Sequence, residues 1–261
     1  MEFGAEIWSK GFEIESETLQ DQCDCERECA PFLLPLSSQP ERTKTEWKDN
    51  GFITYEGKIR LLRQEHINYL TNAITKTLPS GFVVLDASKP WICYWLLHAL
   101  NILDSLPNHL HDRIVSTLKA TQHSSGGFGG CNGQMAHCAP NYAAVLALCT
   151  LGTREALEII DRKKMYSFFL SVKDASGGFR MHHDGEIDTR GTYTVLAIAR
   201  IMNIMTPELV EGVAEFLLSC QTYEGGFGGE PFNEAHGGLC ILFPSIKMCL
   251  DIDSAILIIA L

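Results

Sequence analysis

The sequence predicts an all-α protein whose helices form a repeated unit, arranged as an α/α toroid. The triplet Gly-Gly-Phe occurs three times, at residues 126–128, 177–179 and 225–227, with spacings of 51 and 48 residues. Around the triplets, amphipathic helical runs alternate with runs that are apolar on most faces, and no segment alternates as a strand would. A fixed period of this length is typical of repeat architectures. A plain α-solenoid is the alternative with the same periodicity.

Each predicted helix has its own signal. Apolar residues recur at helical spacing over Ile59–Leu78, and Pro90 lies in the first turn of the next helix. Asp161 is a candidate N-cap, and Thr206 followed by proline marks another start. The predicted helices cover residues 59–78, 91–103, 109–121, 141–151, 154–160, 162–172, 192–204 and 207–220. We expect the glycines of each triplet to bring backbones together and the phenylalanine to fill the space between units.

Composition narrows the class of protein. The 261 residues include 21 Lys and Arg against 32 Asp and Glu, a net charge of −11. An acidic chain is a poor non-specific ligand for nucleic acid, which is bound through its phosphates. The N-terminus shows no basic and apolar leader pattern, so the ten cysteines are expected to be thiols in a reducing compartment, the cytoplasm.

Three regions are predicted. Residues 1–55 form a poorly ordered arm, in which Cys23, Cys25 and Cys29 lack a nearby fourth ligand for a metal and are interpreted as incidental thiols. Residues 56–238 hold the repeats. Residues 239–261 form a divergent apolar tail, whose charges and proline count against a membrane span.

Three long strings carry a family resemblance. Residues 85–95 read LDASKPWICYW, residues 176–190 read SGGFRMHHDGEIDTR, and residues 220–238 read CQTYEGGFGGEPFNEAHGG. With the repeat, they resemble the β subunits of protein prenyltransferases, most of all those that transfer farnesyl, over about residues 56–238. The resemblance implies an α₆/α₆ barrel, here incomplete, whose central funnel binds farnesyl diphosphate and a C-terminal Cys-a-a-X peptide. It also implies a prenyltransferase α subunit as heterodimeric partner and a zinc ion that activates the acceptor cysteine as thiolate.

The resemblance also implies roles for five residues. Arg190 and Tyr193 line the isoprenoid pocket, and His236 donates to the diphosphate. Trp91 and Trp95 contribute aromatic surface to the substrates. The residues alone favour structural roles instead. Arg190 would form an ion pair with a nearby carboxylate (Asp184, Glu186 or Asp188), His236 would be a satisfied loop histidine, and the two tryptophans would belong to the core.

Two histidine-containing clusters are weaker candidates. His182, His183 and Asp184 are consecutive, so their side chains diverge, and the family places its zinc elsewhere. His137 and Cys138 are disfavoured as a metal pair, but they lie in a string that resembles the family's His-x-Ala-Pro-x-Tyr loop near the peptide channel.

The sequence departs from the family after Gly238. The family continues with a Tyr-Thr-Phe-Cys string, whereas residues 239–244 read LCILFP, and Cys240 does not take the place of the family cysteine. The family's zinc ligands, an Asp and a Cys in an Asp-Gly-Cys string and a later His, have no counterpart. We therefore expect this chain, as given, to bind no zinc and to transfer no prenyl group.

Three other functions are alternatives. A geranylgeranyltransferase β subunit is the nearest alternative, and the string at residues 85–95 favours the farnesyl enzyme over it. A terpene cyclase is disfavoured because its Asp-x-Asp-Asp motif is absent. A non-catalytic form that binds the α subunit or a prenyl acceptor is the third.

Overall fold

The computed structural model describes residues 24, 52–55, 58–240 and 246, with side chains given at residue 24, from residue 61 to 240, and at 246. Most of the predicted arm, including Cys23, Cys25 and Cys29, and most of the predicted tail lie outside the described residues. The chain divides into two compact units, Met1–His66 and Ile67–Leu261.

A β-hairpin stands where the sequence predicted the start of a helix. Strands β1 (Phe52–Tyr55) and β2 (Lys58–Leu61) are antiparallel, and Tyr55 pairs with Lys58. This register leaves two residues between the strands, the second of which is glycine, and two-residue hairpin loops favour glycine. The predicted helix over 59–78 is therefore wrong at its beginning, and α1 starts at Arg63.

Outside the hairpin, the named secondary-structure elements of the described chain are all helices, as predicted. The helices are α1 Arg63–Thr75, α2 Lys89–Ile102, α3 His111–Ala120, α4 Cys138–Leu151, α5 Arg154–Glu158, α6 Arg162–Ser171, α7 Thr189–Ile201, α8 Pro207–Val210 and α9 Val213–Ser219. Two 3₁₀ segments, Ser80–Ser88 and Asn108–Leu110, precede α2 and α3. Residues 237–240 are helical as well.

Local sequence explains where the helices begin and break. Asp161 is the N-cap of α6 as predicted, because its Oδ1 accepts from the backbone N–H of Lys164 at 3.0 Å. Thr206 caps α8 in the same way. The predicted single helix over 207–220 is wrong, because Gly212 takes a φ of 71° and separates α8 from α9.

Inner helices α4 and α7 form the centre of the core. Each has nine buried residues, and α4 packs between α2 and α7. Helix α2 was expected to be buried on most sides, but Trp95 is 53% exposed and Ile102 is 68% exposed. The expectation fails because α4 packs along one side of α2 and leaves these two side chains exposed.

The Gly-Gly-Phe turns join one repeat to the next. In each turn the phenylalanine pairs with the residue six positions earlier, and Phe128 and Phe179 are fully buried. The first backbone N–H of each inner helix then donates to a carbonyl just after the following turn: Lys89 to Gly130 at 3.0 Å, Cys138 to Met181 at 2.7 Å and Thr189 to Gly229 at 2.8 Å. These bonds bring the N-terminal ends of α2, α4 and α7 to the same end of the repeats.

Candidate functional site

Helices α4 and α7 and the helical residues 237–240 share one capping arrangement. His137 precedes α4, Asp188 precedes α7, and His236 precedes the helical residues 237–240. Each side chain accepts a hydrogen bond from the backbone N–H two residues ahead, at 3.1 Å for His137, 2.6 Å for Asp188 and 3.0 Å for His236. Three polar side chains are therefore held at equivalent places at one end of the repeats.

Arg190 lies in the first turn of α7 and binds the Asp188 carboxylate through two nitrogens. Its Nε lies 2.9 Å from Oδ1 and its Nη2 2.7 Å from Oδ2. These hydrogen bonds raise the pKa of Arg190, so its charge is permanent. Asp188 is buried, whereas the Arg190 side chain is 58% exposed. The ion pair that the sequence offers as a structural role for Arg190 is thus present. It holds an accessible cation in a fixed place.

His236 is exposed, and its hydrogen bond defines its tautomer. Because Nδ1 accepts from the N–H of Gly238, the neutral ring carries its proton on Nε2. Gly229, in the same loop, approaches Asp188 closely enough that a Cβ there would lie 3.3 Å from Oδ2. The loop that ends in His236 is thus packed on the cap of α7.

An aromatic wall, defined as Trp95, Trp91, Tyr142 and Tyr193, extends over three inner helices. Successive ring centroids are 5.5, 5.9 and 5.7 Å apart. The hydroxyl oxygens of Tyr142 and Tyr193 lie 3.3 Å apart, within hydrogen-bond distance. Because Arg190 and Tyr193 are three residues apart on α7, they lie on one helix face. The structure therefore brings four of the five predicted residues into one array of rings and a cation.

Tyr142 was not predicted as a site residue, although it is the tyrosine of the string that resembles the family's His-x-Ala-Pro-x-Tyr loop. It follows the start of α4 by the same number of residues as Tyr193 follows the start of α7, and the two are 51 residues apart. That spacing equals the distance between the first two Gly-Gly-Phe triplets. Comparing the repeats position by position would have paired Tyr142 with Tyr193.

A cavity of about 490 Å³ lies beside the aromatic wall, at the N-terminal ends of α2 and α4. Trp91, Met135, His137, Pro140 and His182 are among its lining residues. The rings of His137 and His182 are 5.3 Å apart, and burial together with the charge of His182 lowers the pKa of His137. His137 is therefore neutral at pH 7, with Nδ1 occupied by the Ala139 N–H and Nε2–H as a donor.

The described residues contain no group of three or more His, Cys, Asp or Glu side chains that could hold a metal ion. The His182 ring lies against that of His137, and its Nδ1 lies 2.8 Å from the carbonyl oxygen of His183. The six described cysteines are free thiols, as predicted. No described helix is both long enough and apolar enough to cross a membrane.

The helical repeats define the class of protein, an α/α toroid. Its inner surface combines an aromatic wall with a fixed cation at one end, which suits an elongated apolar ligand with an anionic end. A family profile described as "Prenyltransferase alpha-alpha toroid domain" matches residues 61–249. The chain belongs to the prenyltransferase α/α-toroid family.

Individual relatives agree with this assignment. The Arabidopsis thaliana protein farnesyltransferase subunit beta is 46% identical over 186 residues, which are 71% of this chain and 38% of that protein. The Pisum sativum counterpart is 48% identical over 151 residues, 58% of this chain and 36% of that protein. Candida albicans protein geranylgeranyltransferase-I, solved as a complex with GGPP, shares the fold with a TM-score of 0.63 at 20% identity, covering 74% of this chain and 60% of that one. The chain thus spans less than two fifths of the two curated relatives.

Proposed function

We propose that the chain supplies the isoprenoid-binding part of a protein farnesyltransferase β subunit. The complete enzyme would transfer farnesyl from farnesyl diphosphate to the cysteine of a C-terminal Cys-a-a-X sequence, as a heterodimer with an α subunit. The observation that carries the proposal is the aromatic wall with Arg190 beside it. Identity of 46–48% to farnesyltransferase β subunits favours farnesyl over the geranylgeranyl alternative.

The chemistry of the site suits an isoprenyl diphosphate. Aromatic faces contact a branched, unsaturated hydrocarbon chain over a large area and need no hydrogen bonds from it. Arg190 offers a delocalised charge and several N–H donors, which match phosphate oxygens, and the Nε2–H of His236 adds another donor. In this proposal the wall holds the farnesyl chain, while Arg190 and His236 bind the diphosphate and stabilise it as it leaves.

The cavity of about 490 Å³ is the proposed place of the acceptor peptide's C-terminal end. Trp91 contributes to both the aromatic wall and the lining of this cavity, which would put the peptide against the isoprenoid. The neutral His137 offers its Nε2–H to a peptide oxygen or to a bridging water. Free thiols throughout the described residues agree with a reducing, cytoplasmic location.

Zinc is the cofactor of the family that this chain resembles. There it would stabilise the acceptor cysteine in its thiolate form. The described residues do not fit a zinc site, since three suitable side chains never converge among them. We therefore assign isoprenoid and peptide binding to these residues, and no step that passes through the metal.

A binding measurement tests the proposal. We expect farnesyl diphosphate to quench tryptophan fluorescence of the purified chain saturably, because Trp91 and Trp95 belong to the aromatic wall. Affinity should exceed that for farnesol or for inorganic diphosphate by about tenfold or more, since each lacks one half of the recognised chemistry. Equal affinity for farnesol and farnesyl diphosphate would contradict a role for the cation, and tighter binding of geranylgeranyl diphosphate would favour the alternative.

A further inference from the structure

A second cavity, of about 350 Å³, lies between α1, α2 and α3, apart from the aromatic wall. Most of its lining is aliphatic, from side chains on all three helices and their flanking turns: Ala73, Ile74, Leu78, Ile92, Leu96 and Ile114. Helix α1 has no fully buried residue, although its apolar residues face this region at Ala73 and Ile74. The helix thus covers a space that its own side chains do not fill.

The described charged residues that line this cavity are all basic. Its charged lining residues are Lys76, Lys89 and Arg113, and no acidic side chain is among the described residues that line it. Lys89 is already paired with Asp86 at 3.1 Å. Arg113 donates from Nη1 to the Thr75 carbonyl at 3.0 Å, which holds the guanidinium beside Lys76 and leaves most of its five N–H donors for another acceptor. Two exposed cations therefore flank an apolar opening at the C-terminal end of α1.

We propose that this cavity binds a single-chain lipid acid, with the hydrocarbon between α1, α2 and α3 and the carboxylate between Lys76 and Arg113. An unfilled aliphatic cavity favours an apolar occupant, and the all-basic rim selects an anionic end. A volume of 350 Å³ accommodates roughly twelve carbon-sized groups, at about 30 Å³ each, the volume a water molecule takes in the liquid. A twelve-carbon fatty acid fits this size.

Three amphiphiles of equal chain length separate charge from hydrophobicity: dodecanoate, dodecanol and dodecyltrimethylammonium. We expect dodecanoate to bind the full chain with one-to-one stoichiometry in calorimetry, dodecanol to bind about tenfold more weakly, and the cation not to bind at the same site. In the Lys76→Glu, Arg113→Glu double variant, dodecanoate affinity should fall at least about tenfold and the cationic amphiphile should gain affinity. The Lys119→Glu, Lys164→Glu variant, changed at two exposed lysines outside the cavity lining, should bind as the unaltered chain does.

Cys93 gives a second measurement that needs no variant. Its thiol lines the cavity, and burial raises its pKa to about 11, so alkylation is slow. Dodecanoate should slow the alkylation of Cys93 further, as followed by peptide mass spectrometry, and leave Cys149, which is exposed and outside the lining, unchanged. Equal protection by all three amphiphiles, or no protection by dodecanoate, would overturn the proposal. Stronger protection of Cys93 by farnesyl diphosphate than by dodecanoate would also overturn it, because the cavity would then take an isoprenoid diphosphate.

Discussion

Replacing Arg190 by glutamine is expected to weaken farnesyl diphosphate binding by roughly 10- to 100-fold, the equivalent of about 1.5–3 kcal/mol for a hydrogen bond to a charged group. Glutamine keeps a hydrogen-bond donor and much of the side-chain length. It removes the positive charge and the guanidinium, which Asp188 orients through two nitrogens. The Arg190 side chain is 58% exposed, and the backbone N–H at this position still donates to the buried Asp188, so the free energy of unfolding should fall by only about 1–2 kcal/mol. Isothermal titration calorimetry and urea denaturation measure the two quantities.

Arg180 provides the matched control. It also binds one carboxylate, that of Asp174, with Nη2 2.7 Å from Oδ1, and it donates from Nη1 to the Gly185 carbonyl. It is not part of the aromatic wall. Arg180→Gln should therefore leave the affinity for farnesyl diphosphate unchanged. Equal loss of affinity in both variants would show that the effect on Arg190 is structural rather than a lost contact with the diphosphate.

A large effect on stability is expected at Gly177, in the second Gly-Gly-Phe turn. Gly177 has a φ of +93°, and a Cβ there would overlap the backbone carbonyl of Gly212, at the break between α8 and α9. Gly177→Ala must strain φ and also push the turn away from this break. We expect a loss of about 2–5 kcal/mol in the free energy of unfolding, a large part of the stability of an ordinary domain.

Gly225 separates the two causes of this loss. It is the equivalent glycine of the third turn, with a φ of +85°, and among the described residues nothing lies within 4 Å of a Cβ built on it. Gly225→Ala should then cost only the strain in φ, about 1–2 kcal/mol. Losses of equal size at the two glycines would contradict the close packing of the turn on the α8–α9 break.

The sequence predicted the repeat because its signal is backbone chemistry. Gly126, Gly177 and Gly225 all have positive φ, which glycine alone adopts at no cost, so a triplet at a regular interval indicates a turn at a regular interval. A positive φ at glycine also explains the break at Gly212, which was not predicted from the sequence. There the apolar stripe continues across both short helices, so periodicity alone did not predict the break between them.

The hairpin at residues 52–61 shows the limit of apolar periodicity. Ile59 fits a helical stripe with later leucines, but it equally alternates within a short strand, and four residues are too few to distinguish the two periods. The Glu56-Gly57 pair was the better signal, since glycine at the second position of a two-residue link favours a hairpin.

The candidate site was predicted unevenly. The sequence identified Arg190 and named Asp188 among its candidate ion-pair partners, but only the structure shows that the pairing leaves the guanidinium accessible. The continuous ring contacts from Trp95 to Tyr193 depend on Tyr142, whose place follows from the packing of α4 between α2 and α7. Such contacts between repeats depend on tertiary packing, which no single stretch of sequence predicts.

Photoaffinity labelling with a farnesyl diphosphate analogue that carries a photoreactive group in its hydrocarbon chain tests the central claim most directly. We predict cross-links to peptides of α2, α4 and α7 that contain Trp91, Trp95, Tyr142 or Tyr193, and their loss when excess farnesyl diphosphate competes. Cross-links confined to peptides of α1 and α3, or labelling that farnesyl diphosphate does not reduce, would contradict the assignment of the aromatic wall as the isoprenoid site.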